Sequence, residues 1–483
     1  MTTVVSFIVT GILILNIFLA IALIFLERRD ATSTWAWLLV LFFIPIFGFL
    51  IYLMFGRRLR EKHLFRWEGR NKIGIDQLID YQMSAIENNT FEFRKEELEK
   101  YKDMIYLHLR NNDAVLTQDN AMTVFNDGSD KFEALIQDLE QATNHIHIQY
   151  YIFRLDNLGK RILNVLERKA KEGVEVRLLF DDMGSRGLYK RHFHNLIRLG
   201  GKVEAFFPSI LPLINTRLNY RNHRKIVVID GATAYIGGFN VGDEYLGQVK
   251  KFGYWRDTHL RIQGSAVHPI QTRFLLDWNQ ASAEKDIEYN EQYFPAIPRK
   301  GDISMQIVSS GPDSEWEQIK DGYLKMIFRA KKYIYIQTPY FIPDVSFLDA
   351  LRIACLSGVD VRIMIPNKPD HIFVYWATYS NVGHLLKAGA KIYIYDNGFL
   401  HSKQIVIDDE VATVGTANID VRSFKLNFEV NAFIYDPIAA HQLAELFEQD
   451  LLVSRELTLE TYQQRSFTIR LKESIAHLIS PIL

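Results

Sequence analysis

Cysteine is almost missing from this chain of 483 residues, which carries only Cys355. That excludes an intramolecular disulfide framework and a cysteine-based zinc site. The surrounding "ALRIACLSG" reads as a core-facing helix in which the thiol is inert packing. A net charge is missing too, since 56 Lys and Arg face 57 Asp and Glu. Nucleic-acid binders usually show a basic domain, so the composition gives no push toward one. Composition is otherwise that of a folded protein, 48% hydrophobic and 23% charged, and the length allows two or three cores.

Locally, charge vanishes altogether in two places. No charged residue occurs from Val4 to Leu26 or from Ser33 to Phe55. Each run can cross a bilayer as a helix, which takes about 20 residues. A cleaved signal peptide fits less well, because the first run is too long and lacks a positive amino-terminal region. Pro45 and Gly48 are tolerable in a membrane helix. Arg57, Arg58, Arg60 and Lys62 outnumber Arg28 and Arg29 of the intervening loop, which favours both termini on the cytoplasmic side. The expectation is a membrane anchor over residues 1–62, with spans at about 4–26 and 33–55, carrying a large body. Residues 63–120 are charged and read as a helical connection.

The body repeats itself. "NHIHIQYYIF" (144–153) matches "KYIYIQTPYF" (332–341), and "KEGVEVRLLFDD" (171–182) matches "LSGVDVRIMIPN" (356–367). "LGGKVEAF" (199–206) matches "KAGAKIYIY" (387–395), and "HRKIVVID" at 223 matches "HSKQIVID" at 401. The order is strand, helix, strand, helix, strand both times. Two tandem α/β units follow, at 120–295 and 296–483, the second ending in a carboxy-terminal helix.

Both units place basic residues at the mouth of an apolar strand. In H-x-K the side chains sit at i and i+2 and so project from one face, as His223 with Lys225 and His401 with Lys403. Asp230 and Asp408 come an odd number of steps later, on the opposite face, in a supporting role. Asn240 and Asn418 each follow their histidine by 17 positions, and a returning strand would bring them beside it. Two imidazoles, two ammoniums and two amides suit chemistry at phosphorus. One histidine can be the nucleophile and the other the proton carrier, while Lys and Asn hold the phosphate oxygens. No metal or cofactor is called for, because the lysines neutralise the charge. A zinc–histidine site would need a second close His or Cys, which neither cluster has. "HFH" at 192–194 reads as surface.

"HRKIVVIDGATAYIGGFN" and "HSKQIVIDDEVATVGTAN" resemble the paired HxKxxxxD motifs of the phospholipase D superfamily. Within it, "GTANIDVRSFKLNFEVN", "YWRDTHLRIQG", the amino-terminal apolar hairpin and the tail "SIAHLISPIL" resemble bacterial cardiolipin synthases. The resemblance covers essentially the whole chain. It implies an α/β fold of two phospholipase D-like units, β-sheets flanked by helices, sharing one active site behind a two-helix transmembrane hairpin. It implies phosphatidyl transfer between two phosphatidylglycerol molecules, giving cardiolipin and glycerol through a phosphatidyl-histidine. His223 matches the nucleophile and His401 the acid/base, with the reverse assignment open. Lys225, Lys403, Asn240 and Asn418 match the phosphate clamp, with Thr416 and Gly238 beside it. Where many members carry Ser after the glycine, this chain has Gly238 and Thr416, so a contact at Gly238 would use backbone N–H. Glu429 and Asp257 match carboxylates that orient the histidines, and Asp230 and Asp408 the motif aspartates. The implied partners are phosphatidylglycerol, cardiolipin and the bilayer, not nucleic acid. The implied location is the bacterial cell membrane, multi-pass, with a cytoplasmic body. Hydrolysis or another acceptor alcohol, a nuclease, and a non-enzymatic membrane scaffold are the competing readings. The apolar insertion "FFPSILPLINTRLNYRN" (206–222) is expected either to lean on the membrane or to be a buried loop.

Overall fold

The computed structural model describes residues 7, 10–11, 14–18, 20–21, 31–44, 47–52, 65, 67, 69–208, 219–282, 287–368, 370 and 372–479. The chain divides into two compact units, residues 1–62 with 207–220, and residues 63–206 with 221–483. In the first, helices Ala31–Phe43 and Phe47–Ile51 meet around Trp37 and Tyr52, whose rings pack edge-on at 5.4 Å. Among the described residues no helix is long and apolar enough to cross a membrane. Much of the expected spans 4–26 and 33–55, and positions 209–218 of the insertion, lie outside the described residues.

The larger unit is built on one continuous mixed sheet. Its first half comprises β1 (Thr117–Phe125), β2 (His145–Tyr150), β3 (Glu175–Asp181) and β4 (Lys202–Phe206), then β5 (Arg221–Asn222), β6 (Ile226–Ile229), β7 (Thr233–Gly237), β8 (Trp255–Arg256) and β9 (His259–Gln263). The order is β1-β9-β7-β6-β2-β3-β4, with β2, β3 and β4 parallel and the β6–β7–β9 meander antiparallel. The second half repeats this with β10 (Ile303–Ser310), β11 (Tyr333–Gln337), β12 (Phe341–Ile342), β13 (Asp360–Pro366) and β14 (Lys391–Tyr395), then β15 (Phe399–Leu400), β16 (Gln404–Ile407), β17 (Val411–Gly415), β18 (Ile419–Asp420), β19 (Asn427–Ile434) and β20 (Ser454–Leu457). There the order is β10-β19-β17-β16-β11-β13-β14-β20, and antiparallel β1–β10 pairing joins the halves.

Strands such as β2 and β6 are buried along their whole length, as continuous apolar runs with helices on both faces require. Each fully buried Ile or Val stabilises by about 1.5–3 kcal/mol. Aspartates start the crossover helices: Asp156 accepts from Gly159 N–H and Asp344 from Phe347 N–H, satisfying orphan donors of the first turn.

Residues 63–120 do more than join two parts. Met104, Ile105 and Leu109 of helix Lys102–Asn112 are fully buried with Ile334, Ile336 and Phe433. The Gln306 amide donates to the Ile105 and Ala114 carbonyls. The segment belongs to the second core.

Candidate active site

The strand mouths become clefts because each hairpin turns back sharply. Asp230 and Gly231 have φ of 52° and 62°, and Asp408 and Asp409 have 57° and 55°. Two successive left-handed residues let tightly joined strands keep their right-handed twist, and Asp tolerates that region better than most side chains. Ala232 N–H closes the first turn on Ile229 O and Glu410 N–H the second on Ile407 O. His223 and Lys225 sit just ahead of β6, and His401 and Lys403 just ahead of β16, at the opposite ends from these turns.

The halves then exchange segments. β5, immediately before His223, pairs with β19 of the other half, and β15, before His401, pairs with β8. His223 N–H donates to Phe428 O at 3.0 Å, and His401 N–H to Arg256 O at 2.7 Å. Each motif histidine is thus clipped beside the residue that precedes the other half's carboxylate. His223 Nδ1 lies 2.9 Å from Glu429 Oε2, and His401 Nδ1 lies 2.6 Å from Asp257 Oδ2. A carboxylate only accepts, so the proton sits on each Nδ1 and the Nε2 lone pair is left for chemistry.

Charge balance in this buried site is set by both halves. Burial pulls His223 down to about 4, with Lys225 and Lys403 adding and Glu429 opposing. Burial likewise takes His401 to about 4, with Lys403 and Lys225 adding and Asp257 opposing. Lys225 falls to about 7 and Lys403 to about 8, again chiefly by burial. Burial works to raise Glu429, but His223 and Lys225 hold it below the ordinary carboxylate range. Asp257 is held low against burial by Lys403 and His401. Each cluster feels the other's lysine, and each histidine is held by the other half's carboxylate. Lys225 Nζ donates to its own motif's His223 O at 2.6 Å, and Lys403 Nζ likewise to His401 O. That leaves ammonium protons for an anion.

The remaining expected residues separate into two groups. Asp230 takes the N–H groups of Thr143, Asn144 and His145 at 2.8–2.9 Å. Asp408 takes those of Lys331, Lys332 and Tyr333 at 2.7–2.9 Å. These aspartates pin the starts of β2 and β11, at the turn end of the hairpin, roughly 20 Å along the strand from the histidines. Asn240 is buried, accepting from Ile152 N–H and donating to Tyr245 Oη. The Asn418 carboxamide oxygen is buried with no donor among the described residues. Gly238 and Thr416 have protein partners in this structure. Gly238 N–H is used by Thr258 O at 2.9 Å, and the Thr416 hydroxyl donates to Glu429 Oε2 at 2.6 Å. A Cβ at Gly238 would stand 1.8 Å from Asp257 Oδ1, so the glycine exists to admit the carboxylate. Cys355 is half-buried in the second core, its thiol pushed up to about 11 by burial, and His192 accepts from Tyr189 N–H.

The family described as "Cardiolipin synthase, PLD-like domain" matches residues 135–255 and 323–451, and the one described as "Phospholipase_D-nuclease N-terminal" matches 14–57. The major cardiolipin synthase of Bacillus subtilis is 63% identical over 97% of this chain and 98% of its own. A cardiolipin synthase of Listeria welshimeri is 58% identical over 99% of both. The chain belongs to the PLD-like cardiolipin synthase family. The crystal structure of the phosphatidylserine synthase of Haemophilus influenzae shares the fold, with TM-score 0.62 and 16% identity over 79% of this chain and 100% of that one.

Several residues of this cardiolipin synthase-family site escaped the sequence reading. The Tyr151 ring stands edge-on to His223 at 4.9 Å, and Trp255 lies 5.2 Å from His401. Beneath them run two equivalent buried networks. Gln149 donates to Asp277 and Gln337 to Asp450, each at 2.8 Å. Arg224 pairs with Asp277 at 2.8 Å and donates to the Glu429 carbonyl. Arg256 pairs with Asp450 at 2.8 Å and donates to the Asp257 carbonyl. The guanidinium comes from the histidine side of one network and the carboxylate side of the other. Both brace the backbone of a histidine-orienting carboxylate. An Asp in an apolar helical stretch, "FLLDW" around Asp277, was the available signal.

Proposed function

We propose that this chain is a cardiolipin synthase that joins two phosphatidylglycerol molecules through a covalent phosphatidyl-histidine. The carrying observation is the crossed pair of histidine–carboxylate bonds, which leaves two Nε2 atoms in one lysine-lined site. His223 Nε2 attacks the phosphorus of the first lipid, the P–O bond to glycerol breaks, and His401 supplies the proton that glycerol leaves with. The terminal hydroxyl of a second phosphatidylglycerol then gives its proton to His401. Its oxygen attacks phosphorus, the P–N bond breaks, and cardiolipin forms. Lys225 and Lys403 neutralise the non-bridging oxygens as charge builds in both transition states, with Asn240 and Asn418 alongside. The phosphodiester anion draws a proton onto His401, raising a pKa that burial otherwise holds low.

In this reading the apolar runs 4–26 and 33–55 form a two-helix hairpin in the cell membrane, with both ends and the catalytic body cytoplasmic. The match of residues 14–57 to a family amino-terminal segment supports an anchor there. The grouping of residues 207–220 with 1–62 in one compact unit supports an insertion associated with that anchor.

The test supplies phosphatidylglycerol in mixed micelles to the purified full chain and to His223→Ala, and follows lipids and glycerol by mass spectrometry. Cardiolipin and glycerol in equal amounts, absent from the variant, are expected. Phosphatidic acid as the only product would instead make the chain a hydrolase.

A further inference from the structure

The carboxy-terminal helix, Phe467–Ile479, has its polarity turned inside out. Toward the body it presents Ala476, fully buried with Ile342 and Ala377, and Glu473, 4% exposed and paired with Arg465. Phe467, Leu471, Ile475 and Leu478 lie three or four residues apart and so share one face of the helix. That face looks outward: Phe467 is 73% exposed, Leu471 49%, Ile475 49% and Leu478 78%. A helix normally does the reverse, burying its apolar stripe. Exposed Arg470 and His477 flank the stripe on one side and exposed Lys472 on the other.

The helix packs along Ile372–Ala388, whose outer end adds two more exposed apolar residues, Ile372 and Phe373. That second helix packs on β12, and β12 pairs with β18. β18 begins at Ile419, directly after Asn418 of the site. The outward apolar face is therefore separated by one helix and the short strand β12 from β18, which directly follows Asn418.

We propose that this face lies in the surface of an anionic bilayer and seats the site against the lipid it processes. An apolar stripe with basic residues at both margins matches an acyl layer topped by anionic phosphates, where cationic side chains reach back to the headgroups. A protein partner would need no such cationic margins. The bilayer as occupant rests on the proposed use of phosphatidylglycerol.

Cys355→Ser gives a cysteine-free full chain, into which Leu471→Cys, Leu478→Cys or Lys160→Cys is introduced and labelled with bimane. The chain is reconstituted into phosphatidylglycerol vesicles with or without brominated acyl chains. Brominated lipid is expected to quench bimane at 471 and 478 and to leave it untouched at 160, an exposed position of the first half. A second measurement compares Leu471→Asp with the unsubstituted chain. Turnover of bilayer phosphatidylglycerol should fall roughly tenfold, with turnover of monomeric short-chain phosphatidylglycerol unchanged. Absence of quenching at both positions overturns the proposal. Energy transfer between labelled copies at 471 without quenching makes the face a contact between two chains, which also overturns it. If the unsubstituted chain makes no cardiolipin from either lipid, the proposed activity fails, while quenching at 471 and 478 still upholds the docking face.

Discussion

His223 Nδ1 and Glu429 Oε2 lie 2.9 Å apart although 206 positions separate them in the chain. The bond crosses from one half of the duplicated fold to the other, and His401 with Asp257 makes the reciprocal crossing. Neither half alone holds an oriented histidine.

Asp257→Asn tests that orientation. The amide puts an N–H donor where an oxygen accepted, disfavouring the tautomer that frees Nε2, and removes a charge beside His401. Phosphatidylglycerol turnover is expected to fall roughly 10³-fold, with the unfolding temperature changed by only a few degrees. Activity within a few-fold of the unsubstituted chain would show that Asp257 does not orient His401.

The titrations set a pH window. The His223 nucleophile must be neutral and the lysines charged. Below about 4 His223 gains a proton, and above about 7 to 8 Lys225 and then Lys403 lose theirs. For phosphatidyl-p-nitrophenol, whose nitrophenolate leaves without a proton from His401, kcat/KM should therefore fall at both ends, its alkaline limb belonging to the lysines. An alkaline limb only near 10, the ordinary lysine value, would contradict this.

The motif aspartates are structural anchors in this fold, so Asp230→Ala should lower stability without a matching loss of rate. Four charge-assisted bonds from Thr143, Asn144 and His145 end on its carboxylate. Their partial replacement by water costs about 2 kcal/mol, read as a drop in thermal midpoint. Burial opposes ionisation, yet the Thr143, Asn144 and His145 bonds hold the Asp230 pKa low. Its contribution is therefore present above about pH 4 and lost as pH falls through the folded value. The gap between variant and unsubstituted chain should close in acid.

Asp277→Ala strands the buried Arg224 guanidinium, and Arg273 loses the same partner. Thermal unfolding should show a cost of about 3–5 kcal/mol, part of it recovered in Asp277→Ala with Arg224→Met. Asp450→Ala should cost less, because its side chain is 11% exposed and water reaches Arg256 more readily.

What was legible in the chain was whatever repeats or alternates. The four pairs of matched segments, the H-x-K strand mouths among them, pointed to the two α/β halves. The exchange of β5 and β15 between halves was not legible, because two-residue strands carry no periodic signal. The partners of Gly238 and Thr416 were not legible either. Thr258 and Glu429 take up their atoms because β7 pairs with β9 and β17 with β19 within each half. Arg224 and Arg256 carried no signal, because nothing local shows that Asp277 and Asp450 await them under the sheet. Residues 63–120 looked like a charged connection, and Met104, Ile105 and Leu109 were too sparse to announce a core face.

In the proposed reaction His223 takes the phosphatidyl group while His401 only moves protons. Phosphatidyl-p-nitrophenol separates the roles, because nitrophenolate leaves without an acid. Rapid-quench mixing with this lipid, followed by peptide mass spectrometry, should give His401→Ala a stoichiometric nitrophenolate burst and a phosphatidyl adduct on the His223 peptide. His223→Ala should give neither. An adduct on His401, or a burst that survives in His223→Ala, would contradict the account.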